Sequence, residues 1–316
     1  MKKILKRLSL VMIVTALVFT GCKKDQEDEN NGGSETPIGE LATIITDSVT
    51  NINTNSAVCG GNIMSDGGST VTSRGVCWST SPNPTIDNNK TTNGSGVGAF
   101  TSDITGLTDG STYYVRAYVT NNKGTAYGEE RSFNTLPGIN GHAYVDLGLP
   151  SGLKWATCNI GATTPEEYGN YYAWGETTTK TSYTQSNSVT YNQQMGNISG
   201  NIQYDAARAN WGSTWRIPTK EEIEELLSNC SWNWTTQNGV YGYRVTGTNG
   251  NKIFLPATGF CYDTSHFHVG ENGYYWASTP YSIYINAAYV LYFDNEKHKE
   301  SYEQRGRGLM VRPVSD

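Results

Sequence analysis

Few residues of this chain have the types and spacing that chemistry needs. Its four histidines include His266 and His268, which flank Phe267. On a strand that spacing puts both imidazoles on one face, the arrangement of two metal ligands, with Asp263 and Glu271 close by in sequence. The pattern fixes no third ligand, so a solvent-facing loop without metal is the plainer expectation. Glu166-Glu167 and Glu221-Glu222 are paired acids, the groups glycosidases use. The second pair falls in the first turn of an expected helix, where carboxylates offset the helix dipole. The first follows Thr-Pro, which opens a helix or turn. No G-x-S-x-G string, phosphate-binding glycine loop or EF-hand string occurs. No catalytic residue, cofactor or metal is therefore expected, and the chain reads as a non-enzyme.

The aromatic residues point toward binding. Trp174, Trp211, Trp215, Trp232, Trp234 and Trp276 could supply a platform on which pyranose faces stack, although filling a core must take most of them. Trp232 and Trp234 alternate with Ser231 and Asn233, so in an extended segment both rings share a face. The turn-rich stretch 260–280 mixes rings with hydrogen-bonding groups. Its candidate ligand contacts are Tyr262, Asp263, His266, His268, Asn272, Tyr274 and Trp276. The competing expectation is that Tyr274 and Trp276 share an inward strand face while the polar residues solvate a loop.

The elements that must position these groups are mostly strands. Of 316 residues only 16% are charged, against roughly 25% in an average soluble chain, while glycine numbers 35 and tyrosine 21. This composition suits β-sheet joined by polar turns and argues against helical bundles and coiled coils. A pI near 5.3 leaves no basic face for phosphate, so no nucleic-acid partner is expected.

Residues 41–136 read as short strands near 41–48, 56–64, 71–79, 98–104, 112–120 and 126–134, separated by turns such as Asp66-Gly67-Gly68 and Asp109-Gly110. In 112–120, Tyr113, Val115, Ala117 and Val119 share one face and Tyr114, Arg116 and Tyr118 the other. Leu136-Pro137-Gly138 marks a joint. Beyond it Thr219 and Glu222 form a capping box, and Ile223, Leu226, Leu227 and Cys230 make one buried helical stripe. A weaker helix is expected near 204–210.

The N-terminal segment is an address. Lys2, Lys3, Lys6 and Arg7 precede the apolar run Leu8–Phe19, which as a helix spans ~18 Å, short of a ~30 Å hydrocarbon core. It reads as a secretory signal over 1–21. FTGC, ending at Cys22, resembles a bacterial lipobox, which implies lipidation of Cys22 and an anchor in the membrane. The acidic stretch 22–40 reads as a flexible tether and resembles the export tag of Bacteroidetes surface lipoproteins, implying an outer-membrane protein facing the cell surface. Without the leader the chain carries −10, of which −4 lies in 23–40.

Export permits disulfides. Cys158, in a strand, and Cys230, on the helix stripe, are expected to pair, and Cys59 and Cys77 to join the sheets of the sandwich. Cys261 is left over.

The strings RGVCWST, ITGLTDGSTYYVRAYVTN and AYGEERSFNT resemble the fibronectin type III-like modules of Bacteroidetes surface proteins. This implies a spacer sandwich over 41–136 in which Tyr113 caps the fold. Farther on, VDLGLPSGLKWATCNIGATTPEEYGNYYAWGET, WRIPTKEEIEELL, CSWNWTT, IFLPATGF, YYWAST and RGLMVRPV resemble the major paralogous (FISUMP) domain first named from Fibrobacter succinogenes, over about 143–314. WRIPTKEEIEEL also resembles a segment of formylglycine-generating and C-type-lectin-like domains. The resemblances imply a β-rich chain: a fibronectin III-like β-sandwich, then an α+β lectin-like domain over 140–316. The closely spaced cysteine pair of formylglycine-generating enzymes is missing, since Cys261 stands alone, and the calcium-binding Glu-Pro-Asn or Gln-Pro-Asp triplets of C-type lectins are absent. The expectation is a cell-envelope binding or adhesion module for a glycan or a host or matrix protein. A structural envelope component is the alternative, and a formylglycine-generating-type enzyme or hydrolase comes third.

Overall fold

Period-two alternation and glycine turns build the N-terminal half of the computed structural model, which describes residues 39–316. The expected leader, the lipidation site Cys22 and the tether up to residue 38 lie outside the described residues. Strands β1 (Thr43–Thr46), β2 (Ser56–Ser65) and β5 (Gly98–Thr105) form one antiparallel sheet in the order β1-β2-β5. The second sheet runs β4 (Asn89–Lys90), β3 (Ser73–Ser79), β6 (Thr112–Asn121) and β7 (Gly124–Tyr127), and β8 (Arg131–Asn134) also pairs with β6. The result is a fibronectin type III-like β-sandwich.

Its core takes one face of β6. Tyr113, Val115, Ala117 and Val119 are buried with Val76, Trp78, Phe100 and Ile104, while Tyr114 and Arg116 lie half-buried on the other face. The Tyr113 hydroxyl accepts a hydrogen bond from the Thr108 amide at 3.0 Å, which ties the corner before β6 to the sandwich. The segment expected as one strand over 126–134 is broken between β7 and β8. Gly128 sits there against β1, where a β-carbon would meet Thr46 Oγ1 at 2.4 Å, so only glycine permits the approach.

The regular structure of the second half is also mostly strand. β9 (Gly138–Ile139), β10 (His142–Asp146) and β11 (Lys154–Ala156) join β20 (Val314–Ser315) in the order β20-β11-β10-β9. Two helices follow, α1 (Ala206–Trp211) and α2 (Lys220–Asn229). Thr219 and Glu222 make the expected capping box, and Ile223 and Leu226 are the buried residues of α2. Asp205, fully buried, caps α1 through Ala207 and Arg208 and also accepts from the amides of Gly200 and Ile217. It thus pins the approach to α2 onto α1.

Three further sheets complete this half: β12 (Ser231–Gln237), β13 (Val240–Thr246) and β14 (Lys252–Pro256); the hairpin β15 (Phe260–Tyr262) and β16 (Ser265–Phe267); and β17 (Gly273–Pro280), β18 (Ala287–Phe293) and β19 (His298–Gln304). The β17-β18 pair is apolar on both faces because it separates two cores. Tyr275, Ala277, Leu291 and Phe293 face the core that includes α2, β13 and β14. Trp276, Ala288 and Val290 face the core that holds Trp174, Trp211 and Trp215. Arg312, fully buried, donates to Asn159 Oδ1 and to the carbonyls of Ala156, Thr157 and Phe254, linking β11 to β14.

The expected disulfides are not formed: Cys59, Cys77, Cys158, Cys230 and Cys261 are free thiols. Cys59 lies in the sandwich core. Cys77 sits between the core residues Val76 and Trp78, so it points to the outer face of β3, where its Sγ meets the carbonyls of Pro84 and Arg116. Cys158 lines a crevice shared with sandwich residues, whereas Cys230 ends α2 and packs on the core beneath it. Burial pushes the thiols of Cys59, Cys77 and Cys230 up to about 11.

Candidate functional site

The strongest candidate site is a cleft of about 580 Å³ at one end of the β17-β18-β19 sheet, lined by Trp234, Tyr241, Glu271, Asn272, Asp294 and Glu296, with Gly270 and Asn295 completing it. Its rings come from the β12-β13 hairpin. Trp234 pairs with Tyr243 across the ladder, and Tyr241 lies two residues from Tyr243, so all three share a face. Trp232 joins them, as the alternation of this segment requires. The rings form a graded series: Tyr243 is buried, Trp232 and Trp234 are half-buried, and Tyr241 is 52% exposed. Trp234 and Tyr241 stack with centroids 6.2 Å apart and planes 11° apart. Phe293 and Tyr243 pack edge-on against Trp234 and hold its ring in place.

The polar wall comes from two turns. Asp294 opens the β18-β19 turn: its Oδ1 accepts from the amides of Glu296 and Lys297 and its Oδ2 from the Tyr292 hydroxyl at 2.7 Å. Burial pulls this carboxyl upward. The Tyr292 hydroxyl, the two amides and the Lys297 ammonium outweigh that effect and hold it below the usual carboxylate range. The other turn follows β16, where the backbone of Asn272 bonds to His268 and Gly259. Three carboxylates and two amides thus face two rings, and no basic side chain lines the cleft. Such a wall suits neutral hydroxyl-rich ligands and repels polyanions.

Of the seven ligand contacts expected in 260–280, Asn272 alone lines this cleft, together with Trp234 from the six tryptophans expected as platform candidates. Trp276 is 1% exposed and donates from its indole to the Tyr172 carbonyl, so it is a core residue and not a ligand contact. Tyr274 is half-buried on the same face, against Phe260 and Tyr292. Tyr262, Asp263 and His266 are exposed on the separate β15-β16 hairpin. Asp263 there accepts from Ser182, and His266 lies against Tyr171. His266 and His268 do not form a ligand pair. His268 falls after β16 with φ +56° and turns its Nδ1 to Glu271 at 3.1 Å. Among the described residues no cluster of three or more metal-ligating side chains occurs.

Three of the four paired acids are structural. Glu166 accepts from Asn238 and Gln237, Glu167 from Thr163, and Glu222 caps α2 and binds Arg216. Burial raises the thiol of Cys261, which is unfavourable for a nucleophile. The residues missed by sequence reasoning are Tyr241, Asp294, Asn295 and Glu296. The only signal for them was local: a ring beside Asn238-Gly239, and a polar Asp-Asn-Glu turn between two apolar strands.

A family model described as the Lcl C-terminal domain matches residues 148–315. Several solved structures resemble part of the chain. A fourth fibronectin type III domain, human, is 21% identical and has a TM-score of 0.27; the match covers 35% of this chain and 92% of that one. The third fibronectin III domain of human KIAA0343 protein is 18% identical, at a TM-score of 0.23 and coverages of 36% and 96%. The sensor domain of the anti-sigma factor RsgI4 from Pseudobacteroides cellulosolvens is 19% identical, at 0.25, with coverages of 33% and 100%. No curated protein matches the chain.

Proposed function

This chain belongs to the Lcl C-terminal domain family, and we propose that it is a cell-surface binding module whose second half recognises a neutral glycan in the Trp234–Tyr241 cleft. The observation that carries this reading is the pairing of a stacked, partly exposed aromatic surface with amide and carboxylate acceptors on the facing turns. A pyranose presents an apolar face to such rings and hydroxyls to such acceptors, so neither kind of group is buried without a partner. The cleft is largely preformed: the backbone bonds of Asp294 and the edge packing on Trp234 fix both walls. In this reading the sandwich is a spacer, and Cys22 carries the lipid that anchors the chain to the outer membrane, facing outward, as in the FISUMP-type lipoproteins it resembles. We read the protein as a binder and not as an enzyme, because its paired acids are mostly committed to caps and turns.

The test is a neutral-glycan screen followed by titration calorimetry on Tyr241→Ala. Tyr241 is half exposed, so the variant should keep its melting temperature and lose about tenfold in affinity or more, the scale of one lost stacking contact. Unchanged affinity would remove this cleft from consideration. For the anchor, Cys22→Ala should leave the membrane fraction; retention there would refute lipidation.

A further inference from the structure

The other end of the same sheet holds a second cavity of about 350 Å³, lined by Arg305, Gln194, Met195, Tyr281, Ile283 and Ile285, among others. Antiparallel pairing separates the two cavities. Gly273 and Phe293 face each other at the Trp234 end, whereas Pro280 pairs with Ala288 and Ala287 with Gln304 at this one. The seven residues of β18 put about 20 Å between the ends. The two sites therefore share no residue.

Arg305 is the feature that needs explaining. It is 1% exposed, yet no carboxylate contacts it among the described residues. Its Nε donates to the Ala287 carbonyl at 3.0 Å, and its Nη1 donates to the carbonyls of Thr190 and Gln193 at 3.2 and 2.9 Å. The guanidinium plane lies over Trp174, 4.2 Å from the ring centroid. These bonds occupy three of five N–H groups and fix the side chain rigidly. Nη2 has no acceptor among the described residues, and Arg305 lines the cavity. A buried cation normally has an anionic partner, because carbonyl dipoles alone compensate it incompletely.

Gln194 and Ser282 make part of the wall polar, and the rest of it is apolar or aromatic. Ile283 is 68% exposed and Ile285 46%, and Tyr281 stacks on Tyr302 at 4.2 Å. Large apolar groups left in water around a single preorganised cation describe a site for an anion with an apolar body. We propose that this cavity binds a small monocarboxylate whose oxygen accepts from Arg305 Nη2 and whose apolar body lies against Ile283, Ile285 and Tyr281. The single free guanidinium nitrogen matches one carboxylate oxygen, whereas a phosphate or sulfate would leave several charged oxygens without a cationic donor.

The experiment titrates the folded protein with benzoate and with benzamide, its neutral counterpart of like shape, by calorimetry and by the Nε–H resonance of Arg305. Benzoate should bind at least tenfold more tightly than benzamide and shift that resonance, the scale of one charge-assisted hydrogen bond. Ile283→Asp places a second anion at the exposed mouth. It should weaken benzoate by about tenfold with an unchanged melting temperature. Arg305→Gln should abolish the preference for benzoate; if that variant fails to fold, Ile283→Asp still decides. Equal binding of the two probes, binding of neither, or indifference of benzoate to Ile283→Asp overturns the proposal. None of these residues lines the Trp234 cleft, so the glycan reading stands or falls separately.

Discussion

The indole nitrogen of Trp276 donates to the backbone carbonyl of Tyr172 at 2.8 Å, across 104 residues of chain. The bond fastens β17 to the loop that carries Trp174, whose own indole donates to the Ala277 carbonyl at 2.8 Å. Two buried tryptophans thus satisfy their single polar groups on each other's segments. That reciprocity makes them a structural pair and removes Trp276 from the list of groups free to meet a ligand.

Trp276→Ala should therefore destabilise the fold by ~3–5 kcal/mol, the cost of truncating a buried aromatic. At a temperature where the variant remains folded, glycan affinity should match the parent protein. Chemical denaturation measures the first quantity and calorimetry the second. A stable variant that has lost binding would reverse the assignment.

Acid should weaken the fold through His298. Its ring stacks on Trp232 with centroids 4.6 Å apart and planes 9° apart, and its Nδ1 is buried without a partner. Burial lowers its pKa below the ordinary 6.5, and the same cause lowers that of His142. The unfolded chain then binds more protons than the folded one between the lowered value and 6.5. This stability is present above pH 6.5 and is lost as the pH falls through the folded value. Melting temperature measured from pH 8 to pH 5 should fall on the acid side, and His298→Phe, which keeps the stack, should flatten part of that slope. A slope identical in the variant would exclude His298 as its source.

The free thiols make a chemical prediction. With thiols pushed up to about 11 by burial, Cys59, Cys77 and Cys230 carry almost no thiolate near neutral pH. A soluble form spanning 39–316 should react slowly with a thiol reagent when native and yield five thiols when denatured. Its melting temperature should not change with reductant. Recovery of fewer than five thiols after denaturation without reductant would restore a disulfide.

Local patterns were legible without coordinates because their causes are local. Alternation in 112–120 assigned Tyr113, Val115, Ala117 and Val119 to one face, since successive side chains on a strand oppose each other. Thr219 and Glu222 announced α2, because a helix start must satisfy amides that lack partners within the helix. The alternation of Trp232 and Trp234 likewise put both rings on one face.

What only the tertiary structure decided is which faces meet water. Sequence alone could not distinguish Trp234 from Trp276, because both sit in aromatic strands between polar turns. Trp276 is buried because β17 lies between two cores, so even its second face is covered, whereas the β12-β13 hairpin ends beside open turns and leaves Tyr241 in solvent. The cleft joins residues 234, 241, 270–272 and 294–296, and Arg305 depends on carbonyls at 190, 193 and 287. Such sets arise from the stacking of sheets remote in sequence. Their energies come from long-range burial and dipole placement, which no local spacing encodes.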